Sequence, residues 1–538
     1  MSSISFFRRR KRGSELELPW NTGTAIFTHI QQNLSSDNAV LIYNGSHLPD
    51  EKSHYALERS SWAAGAHDSV TRLHSNEKNQ KAAVKTILGL LESISLHDSQ
   101  QAKVELYKLI KKSGVIELID DVADILVESH IDPNPALHRF LRFLAKRSPD
   151  REPVKFAVAL LGLIGDLSDL ELIKTLSRHE EFTLYGAAAI NNMFDDPDEE
   201  LWKLARAVHG WGRIHLVEHL AQTRHQMIRD WLLREGYKND IMHEYLAYTV
   251  AVAGDLDHAL SHGFVDDGLL LAASEIIEAL FSGGPAEDIN DYEHAASTIL
   301  SYLRHLRTRH NKLKPDYFIT AQYIWQYLSD PVDNKVSQAN GWSTDTIRQA
   351  RSLCGEFLQD SQWPSLAQQL LLSENESLFN KANEIAYWLE MDTWDIHWQR
   401  LQKEPVNSSR WMEVMRIADE NRLPQILEFA ETHLPLADIA SQPAEETGMG
   451  PEFEPHHCLD FILQELERFP HHGWPLIRAG LFSPVVRNRL MALNALKFWE
   501  AEQFDIYMLT ALDDLQCIEM EPDLVQDIIE LFDRIDND

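Results

Sequence analysis

PVKFAVALLGLIG, residues 153–165, carries an apolar helical pattern and stops at a glycine. Two later phrases close in the same way. LLGLIG ends at Gly165, ARAVHG at Gly210 and TVAVAG at Gly254, spacings of 45 and 44 residues. Within the stretch from Pro153 to Gly263, each glycine follows an apolar helical pattern and precedes a short polar turn and a second such pattern. If the three glycines close equivalent helices, each takes φ > 0 just past a helix end, where glycine bears no strain.

A period in the forties with helix, turn and helix in each unit predicts an all-α fold. The architecture it implies is a HEAT-like α-solenoid, a right-handed superhelix of antiparallel helix pairs. The pattern extends in both directions. Lys81 to Ile94 places Val84, Ile87, Leu88, Leu91 and Ile94 on one helical face. Similar helices are expected at 101–112, 115–128 and 135–147, separated by the proline breaks DPNP (132–135) and SPDREP (148–153). Further ones fall at 268–281, 291–309, 317–328, 345–359, 364–372, 376–390, 409–420 and 458–469. SPVVRNRLMALNALKFW (483–499) reads as one more inner helix, and 522–535 as a polar cap. No segment has the two-residue period of a strand.

The expected organisation is a basic, frayed tail at 1–13, an N-terminal helical-repeat half at 14–330, a seam at 331–343 and a C-terminal half at 344–538. The C-terminal half contains an acidic loop, SQPAEETGMGPEFEP (441–455), expected to be exposed or locally disordered. Trp388, Trp394, Trp398 and Trp411 lie close together, a spacing that suits a core.

The 538 residues carry a formal charge of −33, which repels a phosphate backbone and argues against nucleic acid as a partner. The basic exception is Arg8, Arg9, Arg10, Lys11 and Arg12, a site for weak contact with an anionic membrane surface. No apolar run reaches the roughly 18–20 residues that cross a bilayer, and no apolar region follows the basic run as a signal peptide requires. Three cysteines, far apart, suggest no disulfide framework and fit a reducing cytoplasm.

Candidate chemistry is sparse. His215-Leu216-Val217-Glu218-His219 matches H-x-x-E-H: on a helix the two histidines share a face that suits Zn²⁺, with Glu218 placed to activate water. The competing reading is an exposed repeat-helix face. His456, His457 and Cys458, with His471 and His472, flank one expected helix and are metal-binding residue types. His130, Asp132 and His138 form an H-x-D…H set across a helix end. No dinucleotide-binding glycine fingerprint, phosphate-binding lysine loop or G-x-S-x-G elbow occurs, so no cofactor is evident.

SELELPWNTGTAIFTHIQ (14–31) and WAAGAHDSV (62–70) resemble a family of bacterial HEAT-like repeat proteins labelled limonene hydroxylase. The resemblance implies a monooxygenase acting on a small apolar terpene with NAD(P)H and O2, and it carries no active-site residues with it. Such chemistry needs haem, flavin, copper or non-haem iron to activate oxygen. The residues themselves point instead to a cytoplasmic scaffold whose concave face binds another protein.

Overall fold

Lys81–His97 shows how the pattern becomes structure. Val84, Ile87, Leu91 and Ile94 all point inward and are buried. The helix stops where Asp98 turns left-handed (φ 50°), and the Ser99 side chain then caps Gln100–Lys112 by accepting from the Ala102 amide. Proline starts helices at Pro135–Arg147 and Pro315–Ser329, where its missing N–H costs nothing.

The computed structural model describes residues 23–36, 40–51, 62–74, 81–128, 135–309, 311–329 and 340–537. The Arg8–Arg12 run, His130, Asp132 and most of the expected seam lie outside the described residues. Among those described, regular structure is helical throughout, with isolated bridges only at Leu34–Leu41 and Glu446–Val485. None of the described helices is long and apolar enough to cross a membrane.

The chain divides into two units, residues 1–360 and 361–538. In the first, helices stack in a row, each on the next but one or two along the chain. Arg151–Ile164 packs on Glu180–Met193, then Gly210–His219, Ala247–Ala253, Asp267–Ser282 and Pro315–Ser329 follow in turn. A second series runs Leu256–Ser261, Ala295–Arg307 and Thr344–Leu358. In the second unit Ser408–Arg416, Glu454–Glu465 and Val486–Leu496 stack likewise. Its main core gathers Trp398, Trp411, Leu459, Leu493 and Leu512, with Trp394 stacked on Trp398 at 5.3 Å.

Arg151–Ile164 is covered on almost every side, as its all-round apolar sequence demands. Its neighbour approaches so closely that a Cβ on Gly162 would lie 2.3 Å from Ala189 Cα. The three repeat glycines, however, are not equivalent. Gly165 leaves its helix extended (φ −79°, ψ −176°), entering a capping box between Asp166 and Asp169. Gly254 closes Ala247–Ala253 in the right-handed region (φ −78°). Gly210 alone has positive φ (52°), and it opens a helix rather than ending one. What they share is crowding: added Cβ atoms would meet Leu161 O, Glu180 Oε2 and Leu233 Cγ at 2.3, 2.1 and 2.5 Å respectively.

Several boundaries also move. The expected 115–128 helix breaks into a 3₁₀ turn, Val115–Glu117, and a helix, Ile119–Glu128. The helix expected at 458–469 begins earlier, at Glu454, because Pro455 is well suited to a first turn. The 441–455 segment is a loop, but a fixed one. Gln442 N donates to Phe482 O, Val486 N donates to Glu446 O, and Arg489 Nη1 donates to Ala444 O at 2.9 Å.

Candidate functional site

The first turn of Arg151–Ile164 carries Arg151, Glu152 and Lys155, and the packing that buries its apolar residues buries these too. Lys155 is 1% exposed. Its Nζ lies 2.8 Å from Asp68, 2.9 Å from Glu152 and 2.7 Å from Glu181. Arg151 pairs with Asp50 at 3.0 Å and sits 3.5 Å from Glu181. Buried charges persist only when paired and hydrogen-bonded, and here they are. Tyr185 donates to Asp68, the Gly65 amide to Glu181 and the Val115 amide to Glu152.

Burial alone would lift the Asp68 and Glu181 carboxyls. The Lys155 ammonium outweighs it, holding Asp68 well below its ordinary range and, with Arg151, Glu181 down to about 2. Burial would likewise favour neutral Lys155, but Glu152, Glu181 and Asp68 push it well above its ordinary value. An ammonium has three donors, and all three are committed to carboxylates. The cluster is therefore a clamp. It ties the segments around Asp50 and Gly65–Ser69 to Arg151–Ile164 and Glu180–Met193. Beside it, burial lowers His179 to about 4 and raises Glu180 to about 7, although the Trp211 and Gly212 amides pull Glu180 back. The clamp was legible in principle: Arg-Glu-x-x-Lys heads a run that is apolar on every side. The WAAGAHDSV phrase supplies Gly65, Asp68 and Ser69 to it.

His215 is buried, not on an exposed face, and its Nε2 is 2.8 Å from Ser69 Oγ. Glu218 lies 3.6 Å from His215 Nδ1 and is largely exposed, and His219 is half-buried. The H-x-x-E-H residues thus do not present a shared set of ligand atoms. The second set also diverges. His456 Nδ1 faces Ser483 and Asn488 Oδ1, His457 Nε2 faces Gly448 O at 2.7 Å, and Cys458 sits in the apolar core with its thiol pushed up to about 12 by burial. His471 packs on Trp499, and His472 faces Pro470 O. His138 contacts Asp169 at 2.6 Å. Among the described residues, the ligand atoms of Asp196, Asp198 and His225 converge within 4.8 Å, on an exposed edge. The oxygen-activating group that the resemblance implies finds no fitting donor set in His215, Glu218 and His219 or in His456, His457 and Cys458.

Two cavities among the described residues bear on a site. One, of about 390 Å³, lies where Ile26–Gln32, Pro135–Arg147 and Leu170–Leu176 meet, with Arg142, Lys146, Lys174 and Arg178 on its wall. The other, of about 560 Å³ in the second unit, is lined by Tyr387, Trp388, Met391, Ile417 and Arg416 among others. Sequence reading missed the first because its walls come from three separate helices. Compared with protein-family models, curated proteins and solved structures, the chain matches none.

Proposed function

We propose that the chain is a cytoplasmic helical-repeat scaffold, a HEAT-like α-solenoid whose concave face binds another protein. One observation carries this reading: the row of helices from Arg151–Ile164 to Pro315–Ser329, each packed on its counterpart from the next unit. Stacked repeats contact only their neighbours and so generate long binding surfaces. The clamp around Lys155 supports it, since the most reactive-looking side chains are consumed in holding the fold.

Two measurements test it. A compact 538-residue body has a radius of gyration near 24 Å by the usual scaling. Small-angle scattering should give a distinctly larger value, and one near 24 Å sinks the solenoid. Cross-linking in native lysate at low and high salt should recover one stoichiometric partner joined to exposed positions of the row; recovery of none sinks the scaffold.

A second reading draws on the 560 Å³ cavity, where Tyr387, Trp388, Met391 and Ile417 offer walls for a small apolar terpene. Limonene should then protect this region from hydrogen exchange. Unchanged exchange at saturating limonene removes the reading.

A further inference from the structure

In a chain of charge −33, a cavity walled by cations is an exception. The 390 Å³ cavity has four cationic side chains on its wall and one carboxylate, Glu171, which is 84% exposed. The cations come in two pairs, each four residues apart. Arg142 and Lys146 share a face of Pro135–Arg147, and Lys174 and Arg178 follow one another at the end of Leu170–Leu176 and just beyond it. Lys174 is offset by Glu200 at 2.8 Å and Glu171 at 3.4 Å, whereas like charges at the Arg142–Lys146 spacing repel along their helix.

The site is also built. Asp169, fully buried, holds Arg142 through Nη1, and His138 and the Asp166 amide hold Asp169 in turn. The guanidinium is thereby fixed, while its Nε and Nη2 donors make no bond among the described residues. An arginine presented in this way matches the geometry of a phosphate. Lys146 is half-buried and has no acidic partner among the described residues. Opposite the charges, Phe27, Leu34 and Leu172 form an apolar wall. The volume falls within the range of small-ligand pockets.

We infer that this cavity binds a small phosphorylated molecule, its phosphate held by Arg142 and Lys146 and its apolar or aromatic body laid against Phe27. The inference goes beyond the scaffold reading and stands independently of it.

Isothermal titration of the full-length protein with phenyl phosphate tests it, with benzyl alcohol and inorganic phosphate as the other arms. Phenyl phosphate should saturate one site and bind at least tenfold tighter than either. Lys146→Ala and Arg142→Gln should each weaken it tenfold or more, while Lys312→Ala, at an exposed lysine paired with Asp267, leaves it unchanged. Circular dichroism melts show whether each variant stays folded, and Lys146→Ala, at a half-buried lysine with no ion pair among the described residues, keeps the test valid if Arg142→Gln does not fold. Absence of saturable binding overturns the inference. So does equal loss in Lys146→Ala and Lys312→Ala, or benzyl alcohol binding as well as the phosphate.

Discussion

Replacing Lys155 by methionine keeps most of the side chain's length and removes only its charge. Three carboxylates then lose a cation that stood 2.7–2.9 Å away. Glu181 retains Arg151 at 3.5 Å, so the loss falls chiefly on Asp68 and Glu152. Breaking a buried ion pair by removing one partner costs about 3–5 kcal/mol, and the several carboxylates place this variant toward the upper end. An unpaired buried carboxylate escapes the penalty by taking up a proton. The destabilisation should therefore be largest near pH 8 and shrink toward pH 5. The chain has two units, so a single unfolding transition is not assured; hydrogen exchange of amides in Arg151–Ile164 reads the relevant stability directly. Adding Glu152→Gln to Lys155→Met should recover part of the loss, a coupling that a double-mutant cycle isolates. A loss below about 1 kcal/mol at pH 8, or one that does not vary with pH, would refute the clamp.

Gly162→Ala gains about 1 kcal/mol of helix propensity but drives a methyl group against the Ala189 backbone, and overpacking costs about 1–3 kcal/mol. A net loss is expected in urea denaturation, and a stabilised variant would mean the two helices are not in close approach. Glu180, raised to about 7 by burial, stabilises the fold fully below its unfolded value, and that contribution is lost as pH rises through 7. Relative to wild type, Glu180→Gln should gain at most about 3 kcal/mol between pH 4.5 and 8, and denaturation midpoints at the two pH values check it. Arg489 is buried, pairs with Glu519 and holds Ala444 O, so Arg489→Met should release the 441–455 loop to limited proteolysis, whereas an unchanged cleavage rate would show that the loop is held by other contacts.

Periodicity alone determined the helical class and most helix positions. Val84, Ile87, Leu91 and Ile94, or the acidic face of Pro522–Asn537, show apolar residues at intervals of three and four, and that interval is a local property of the chain. Proline breaks marked the helix starts for the same reason. The likeness of LLGLIG, ARAVHG and TVAVAG misled on one point: the conformation of a closing glycine depends on where the next segment goes, and Gly165, Gly210 and Gly254 are followed by three different paths. The surroundings of the histidine motifs were decided by tertiary structure. His215 meets Ser69 and His456 meets Asn488, partners that no spacing within either motif records. Tertiary structure also decided the clamp and the basic cavity. An apolar run says that a helix will be covered, but not by which segments, and so it could not show that Lys155 would be buried among Asp68, Glu152 and Glu181. Nor could it bring Arg142 and Lys146 to the same space as Lys174, Arg178 and Phe27. Charge states and pockets arise between residues distant in sequence, where only packing decides what meets what.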